Sequence, residues 1–178
     1  MVADPASEDT KGVRPSGSDS AGACLRVLES TVLCRLTSFR HLGVFPEQLP
    51  HWQWMRDWLG CGRGEPRRVL NLFAYTGAAS LIAAGVGAEV THVDASKRAI
   101  AWAKQNQAVS KLGEAPIRWI LEDARKFVAR EVRRGKSYHV ILVDPPKFGR
   151  GPEGEVWDVF QHLPPGPRPN FGGSTRIR

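Results

Sequence analysis

Short apolar stretches alternate with amphipathic stretches along the central part of the chain. Stretches bounded by turn residues and apolar enough to form buried strands are Arg68–Phe73, Val90–Val93, Ile117–Leu121 and His139–Val143. Helical patterns lie between them, over Gly77–Ala84, Lys97–Leu112 and Ala124–Arg134. This alternation predicts an α/β fold, Rossmann-like, with a doubly wound parallel sheet between two layers of helices.

The residues before this pattern are less regular. Apolar positions between Cys24 and Leu36 fit both an alternating and a helical pattern, of which the alternating one favours a strand. Residues 43–48 have the composition of a loop. His51–Leu59 is compatible with a helix that places Trp54, Met55 and Trp58 on one side. In the third helical pattern of the chain, over Lys97–Leu112, the expected inward residues are Ile100, Ala103, Ala108 and Leu112.

Both ends of the chain lack this pattern. Residues 1–23, rich in Ser, Gly, Pro and Asp, cannot bury enough surface to offset their ordering entropy and are predicted to be disordered. Residues 164–178 form an irregular tail rich in Pro and Gly, whose prolines would stop a helix that began at Gly154 or Glu155. The predicted organisation is a tail (1–23), an extension (24–66), an α/β domain (67–163) and a second tail.

Composition and charge narrow the classes of function. The 178 residues, 42% hydrophobic and 24% charged, suffice for one globular domain. No apolar run approaches the ~20 residues that span a bilayer, and the first ten residues do not resemble a secretory signal. The odd number of cysteines, three without metal-like spacing, favours a reducing compartment and hence a cytoplasmic location. The net charge of +7 suits a nucleic-acid partner.

Ligands of such sheets bind beyond the carboxyl ends of the strands, so the following residues are candidates for a site. Gly77 after the first strand permits close backbone approach, and the next helix offers free N–H groups, although a tight turn explains the pattern equally well. The dinucleotide motif GxGxxG is absent. Asp94 suits the two hydroxyls of a ribose, or a helix N-cap for which Ser96 competes.

Two further carboxylates follow strands. Asp123 can accept a hydrogen bond from an adenine amino group, cap the helix from Ala124, or do both. Asp144 opens the segment Asp-Pro-Pro-Lys-Phe at 144–148, in which two prolines stiffen the backbone beside an aromatic ring. This segment suits a platform for a substrate base and is the most specific signal in the chain.

Together these loops resemble the S-adenosyl-L-methionine-dependent methyltransferases of the Rossmann-like class. Within that class the chain is most similar to the branch that contains the bacterial large-subunit ribosomal RNA (cytosine-C5) methyltransferases. The resemblance covers roughly residues 37–163 and rests on residues 69–77, 93–96, 122–124 and 144–148. Residues 43–48 are similar to a loop that this branch places close to the cofactor. The resemblance implies methyl transfer to RNA, with S-adenosylmethionine as cofactor and no metal.

The resemblance also implies roles for single residues. Three groups of residues are implied to bind the cofactor. The methionine end would contact Phe73, Tyr75, Thr76 and Gly77, the ribose would contact Asp94 and Ala95, and the adenine would contact Asp123 and Ala124. The methyl-transfer site comprises Asp144 and Pro145, with Lys147 and Phe148 near the target base. RNA targeting is expected to use Lys147, Arg150 and the basic stretch Arg125, Lys126, Arg130, Arg133, Arg134 and Lys136, unless this stretch is simply the solvated face of a helix.

The methylated atom stays open. An exocyclic amine would be positioned by a carboxylate and a carbonyl oxygen, whereas cytosine C5 needs a thiolate that first adds to C6. No cysteine follows Cys61, and in the resembling branch that cysteine lies further downstream than this chain extends. The family sheet has seven strands and four are predicted here, so a truncated, alternatively spliced or frame-shifted product with an exposed sheet edge is expected. The alternative is a minimal domain whose tail is a natural disordered extension. The alternatives are an inactive remnant that retains cofactor binding and a methyltransferase for a protein or small molecule.

Overall fold

The structure, a computed structural model, describes residues 15–16, 23–35, 42–61 and 64–162. The tail predicted over 1–23 lies outside these residues except at 15–16 and 23, and the tail over 164–178 lies wholly outside them. No helix in the described ranges is long and apolar enough to cross a membrane.

A small antiparallel sheet comes first. It contains β1 (Pro15–Ser16), β2 (Cys24–Val27) and β3 (Ser30–Leu33) in that order. The alternation over 24–36 therefore belongs mainly to a hairpin, since β2 and β3 pair from Cys24 opposite Leu33 to Val27 opposite Ser30.

Helix α1 (Leu49–Gly60) follows a 3-10 turn over Pro46–Gln48, which lies within the predicted loop. The helix buries Trp52, Met55 and Leu59, whereas Trp54 is 57% exposed and Trp58 is 39% exposed. The prediction that Trp54, Met55 and Trp58 share one side is wrong. Positions four apart share a helix face, so Trp54 and Trp58 face solvent together, while Met55 points to the core.

Four parallel strands form the central sheet: β4 (Arg68–Leu72), β5 (Glu89–Asp94), β6 (Ile117–Leu121) and β7 (Val140–Val143). They are connected by α2 (Ala78–Gly85), α3 (Lys97–Val109) and α4 (Ala124–Arg133). The spatial order β6-β5-β4-β7 shows that the chain winds outward from β4 to one side and then crosses to the other. The predicted doubly wound parallel sheet is confirmed, and its switch point lies between β4 and β7.

The two faces of the sheet pack against different helices. Val69 and Val90 point to the side of α1 and α2, where Met55 and Ile82 are buried. Leu70, Leu72 and Val93 point to the other side and pack against Phe127 of α4. Alternation along each strand thus produces the three predicted layers.

Helix α3 joins the small sheet to the central one. Its Asn106 accepts a hydrogen bond from Leu33 N at 2.9 Å and donates one to Thr76 O at 2.8 Å, while Trp102 Nε1 donates to Leu33 O at 3.0 Å. Ser110 Oγ accepts from Thr31 N and donates to Thr31 O. These side chains satisfy the outer backbone groups of β3, which would otherwise be an open strand edge.

Two expectations for the helices are corrected. In α3 the buried residues are Ala99, Ile100, Trp102, Ala103 and Asn106, so Ala108, expected inside, is exposed. No helix begins at Gly154 or Glu155: β8 (Phe148–Arg150) and β9 (Val156–Asp158) form an antiparallel hairpin, followed by the short helix α5 (Val159–His162). Gly154 lies in the hairpin turn with a left-handed φ of 89°.

Candidate functional site

The loop after β4 has a strained backbone. Phe73, Tyr75 and Gly77 take left-handed φ angles of 55°, 49° and 85°. A non-glycine residue in this region costs about 1–2 kcal/mol and persists only where its surroundings hold it. Hydrogen bonds do so here, from Ala74 N to Val93 O at 3.1 Å and from Gly77 N to Ala74 O at 3.0 Å.

Gly77 begins α2 in a position that only glycine fits well. A Cβ at Gly77 would lie 3.1 Å from the Ala103 side chain, and the φ angle is left-handed. No side chain caps this end of α2. The first N–H groups of the helix are therefore available to an anionic group, as the sequence predicts.

A buried polar chain lies beneath this loop. Asn71 Nδ2 donates to Ser80 Oγ at 2.9 Å, and Ser80 Oγ is 3.0 Å from His92 Nδ1. His92 is fully buried, its ring lies 4.5 Å from that of Trp119, and its Nε2 has no hydrogen-bond partner among the described residues. Burial lowers the pKa of His92 to about 3, so the imidazole is neutral. These hydrogen-bonded side chains connect β4, α2 and β5 directly under the loop.

Asp94 at the end of β5 is held by backbone groups on both sides. Its Oδ2 accepts a hydrogen bond from Tyr75 N at 2.8 Å, and its Oδ1 accepts one from Ser96 N at 2.8 Å. Burial raises the pKa of Asp94, and the two N–H groups partly offset this rise. Ser96, not Asp94, caps α3, since its Oγ accepts from Ala99 N at 3.2 Å. Each oxygen of Asp94 keeps a further lone pair, and Ala95 lies half-buried beside it.

Asp123 caps α4. Its Oδ1 accepts from Arg125 N at 2.9 Å and from Lys126 N at 3.1 Å, so the capping prediction is confirmed. Within the described ranges Oδ2 receives no hydrogen bond. Asp123 and Ala124 are both buried. The side chain can therefore cap the helix with one oxygen and present the other to a ligand.

The loop after β7 is pinned by a residue that the sequence does not single out. Trp157 of β9 is buried, donates its Nε1 hydrogen to Pro146 O at 2.7 Å and lies 4.6 Å from the Phe73 ring. Asp144 and Phe148 are exposed, and Pro145 is half-buried. Trp157 thus couples the loops after β4 and β7. The signal that could have found it is a lone tryptophan close behind a rigid Pro-Pro turn.

The segment before α1 lies against the same loops. Thr76 Oγ1 donates a hydrogen bond to Gly43 O, and the Phe45 ring lies 5.8 Å from that of Tyr75. Tyr75 in turn lies 6.0 Å from the Trp102 ring. A Cβ at Gly43 would overlap the Trp102 indole, and its φ of 90° is left-handed. Residues 43–48 therefore begin beside Tyr75 and Thr76.

The strand registers bring the candidate residues to one edge of the sheet. Leu72 pairs with Val93 on one side and with Val143 on the other, and Asp94 pairs with Leu121. The residues at or just after the ends of these strands therefore line up in the order Asp123, Asp94, Phe73, Asp144.

Four members of the predicted basic stretch, Arg125, Lys126, Arg130 and Arg134, form ion pairs within the chain. Lys126 pairs with Glu153 at 2.6 Å and with Glu155 at 2.5 Å, and Arg130 pairs with Glu122 at 2.5 Å. Most of the positive charge on α4 is thus paired with carboxylates of the same chain. In the described part of the chain, no three His, Cys, Asp or Glu side chains group in a way that could hold a metal ion.

Comparisons with known proteins point to one kind of protein. A family profile described as conserved hypothetical protein 95 matches residues 53–153. The chain is 43% identical over 89 residues to ribosomal RNA large subunit methyltransferase K/L of Shewanella sp. (strain ANA-3), covering 48% of this chain and 12% of that protein.

Two solved structures are also similar to this chain. An SAM-dependent methyltransferase from Agrobacterium tumefaciens is 55% identical, with a TM-score of 0.77 over 89% of this chain and 48% of that one. SMU.776, crystallised in complex with SAH, is 28% identical, with a TM-score of 0.65 over 80% of this chain and 36% of that one. The chain thus spans between 12% and 48% of the length of these three proteins.

Proposed function

The chain belongs to the family described as conserved hypothetical protein 95, and from this premise we propose that it transfers a methyl group from S-adenosylmethionine to a base of ribosomal RNA. The observation that carries the proposal is Asp94, whose two oxygens are each fixed by one backbone N–H at the carboxyl edge of the sheet. The name of the Shewanella relative supports the RNA substrate. The SAH complex of SMU.776 supports the cofactor.

The residues at this edge fit such a cofactor. The lone pairs that remain on Asp94 suit two neighbouring ribose hydroxyls, with Ala95 beside them. Oδ2 of Asp123 is free to accept from an adenine amino group, next to the backbone of Ala124. The open N–H groups at the start of α2, after Gly77, suit the carboxylate of the methionine part. Phe73, Tyr75 and Thr76 would line that part.

The chemistry follows from the bound cofactor. Its sulfonium supplies an already activated methyl group, so the protein chiefly aligns the acceptor with the donor. Asp144 would accept a hydrogen bond from the target base, and the Pro145 carbonyl would accept another. Lys147 and Phe148 would lie near the target base. Because Trp157 contacts Phe73 and donates a hydrogen bond to Pro146 O, it would keep the loop after β7 aligned with the loop after β4.

The proposal includes a cytoplasmic location, where a ribosomal RNA substrate is met. It also includes the cofactor-proximal role of residues 43–48. The hydrogen bond from Thr76 to Gly43 O and the contact of Phe45 with Tyr75 support that role.

Calorimetric titration with S-adenosylmethionine tests the cofactor half of the proposal. We expect Asp94→Asn to weaken binding at least tenfold, since hydrogen bonds to a charged group contribute about 1.5–3 kcal/mol. Asp57→Asn is the matched control, because Asp57 is an exposed acid on α1 that pairs with Arg56. Thermal unfolding of each variant shows whether the fold is intact. A folded wild-type chain that binds no S-adenosylmethionine would contradict the proposal.

Transfer of labelled methyl groups tests the substrate half. We expect label to enter ribosomal RNA that lacks its natural methyl groups, in the presence of the wild-type chain. Total protein and small-molecule extracts are the comparison substrates. Labelling of either in preference to RNA would overturn the RNA assignment while leaving the cofactor assignment in place.

A further inference from the structure

The inner face of the hairpin formed by β8 and β9 is fixed to the site. Trp157 occupies this face and joins Phe73 to the Pro146 carbonyl. Gly149 stands opposite Trp157, and a Cβ there would lie 3.5 Å from Pro146 and 3.8 Å from Trp157. Val159 N also donates to Lys147 O at 3.1 Å. These contacts fix the orientation of the hairpin relative to the loop after β7.

The outer face of the same hairpin carries two exposed apolar side chains, Phe148 and Val156, and two charged ones, Arg150 and Asp158. Side chains alternate along a strand, so Phe148 and Arg150 share this face with Val156, which pairs with Arg150. Phe148 is 62% exposed and Val156 is 61% exposed. Phe160 of α5 is 78% exposed. Folding gains little from rings in this state, because most of their surface remains in water.

One ammonium group lies between the two exposed rings. Lys147 Nζ is 5.4 Å from the centre of the Phe148 ring and 5.9 Å from that of Phe160. Both distances are within the range of cation–π attraction. Lys147, Phe148 and Phe160 thus form one cluster beside the loop after β7, and this cluster is here named the aromatic rim.

Two cations at the aromatic rim are free to contact a negatively charged polymer. Lys147 and Arg150 form no ion pair with any residue that the structure describes. The nearby Glu153 and Glu155 share the one ammonium group of Lys126. Asp158, opposite Phe148, accepts a hydrogen bond from Phe160 N. An apolar protein partner would require only the rings, whereas unpaired cations beside rings match a nucleotide chain, which offers base faces and phosphates together.

We propose that the aromatic rim stacks unpaired bases of single-stranded RNA that flank the nucleotide to be methylated. This rests on the proposed function for the kind of polymer and adds where that polymer is held. Phe148 and Phe160 stack bases, and Lys147 and Arg150 neutralise phosphates. Phe160 belongs to neither the cofactor-binding nor the methyl-transfer residues, so it reports on RNA binding alone.

Fluorescence titration of the full chain with a short single-stranded RNA that carries 2-aminopurine tests this inference. We expect Phe160→Ala to weaken binding about tenfold and Phe160→Trp to restore it, because base stacking on an aromatic ring tolerates either ring type. Trp54→Ala is the matched control, since it removes an exposed ring from α1 instead of the hairpin. Stacking quenches 2-aminopurine, so the wild type should quench the probe and Phe160→Ala should quench it less.

Three outcomes would overturn the inference: no binding of single-stranded RNA by the wild type, equal affinity of the wild type and Phe160→Ala, or an equal loss in Trp54→Ala. Tighter binding of a duplex of the same sequence would also overturn it. Calorimetry with S-adenosylmethionine on the same samples separates this inference from the proposed function. If the wild type binds cofactor and Phe160→Ala binds RNA as tightly as the wild type, only the aromatic rim is refuted. If the wild type binds RNA but no cofactor, and Phe160→Ala loses RNA affinity, only the methyltransferase is refuted.

Discussion

Acid should destabilise this chain through His92. The imidazole is buried and neutral, and burial lowers its pKa to about 3 from the ordinary value of 6.5. Below pH 6.5 the unfolded chain binds a proton at this position, and the folded chain does not until the pH approaches 3. The stability that neutral His92 contributes is therefore complete above pH 6.5 and is lost as the pH falls towards 3.

The size of the effect follows from the gap between the two pKa values. Each unit of pH within the gap removes about 1.4 kcal/mol of unfolding free energy. Between pH 7 and pH 4.5 the loss due to His92 alone is about 2–3 kcal/mol, a large part of the ~5–15 kcal/mol that stabilises a typical domain.

Urea unfolding followed by tryptophan fluorescence, at pH 7 and at pH 4.5, measures this loss. The matched variant is His92→Gln, which can still bond to Ser80 but does not titrate. We expect the wild type to lose about 2–3 kcal/mol more than the variant over this interval, because all other titrating groups are common to both. Equal losses would refute the reasoning. If the variant does not fold, NMR titration of the His92 ring in the wild type gives the answer, since a change of charge near pH 6 would contradict the lowered pKa.

The remaining predictions concern packing and hydrogen bonds. Gly43→Ala should lower the unfolding free energy by about 1–3 kcal/mol more than Gly87→Ala in urea titrations, since both have left-handed φ angles but only a Cβ at Gly43 overlaps a ring; equal losses would contradict this. Trp157→Phe should slow methyl transfer to RNA while cofactor affinity in calorimetry stays unchanged, because the hydrogen bond to the loop after β7 is lost. Tyr138→Phe should cost about 1–3 kcal/mol of unfolding free energy, since buried Glu131 loses a 2.6 Å bond, and an unchanged urea midpoint would refute this.

The central sheet could be predicted because its strands are short apolar runs between turn residues. The run Ile117–Leu121 became β6 with unchanged bounds, and helices α1 to α4 began within two residues of their predicted starts. The order of the strands placed Asp94, Asp123 and Asp144 at one edge, as expected for a parallel sheet. Their roles in binding remain predictions.

What could not be predicted depends on polar contacts between distant segments. Ala108 was expected inside α3 because apolar spacing was the only guide, yet the buried face includes the polar Asn106, whose partners are backbone groups of β3 and of the Thr76 loop. The hydrogen bond from Tyr75 N to the Asp94 carboxylate likewise has a backbone donor, and the type of residue 75 does not indicate it. Trp157 was missed because its hairpin depends on the left-handed turn at Gly154, and a three-residue strand has too few positions for a pattern.

The side chains of α3 that satisfy the outer edge of β3 bear on how the chain comes apart. A shortened protein that began at residue 67 would leave Asn106 Oδ1 and Trp102 Nε1 without the partners that Leu33 supplies. Buried groups without partners destabilise their neighbours, so opening of the hairpin should loosen the Thr76 loop as well. We therefore expect the amide protons of β3 and of α3 to exchange with solvent as one cooperative unit, across the boundary at residues 66 and 67 that composition alone suggests.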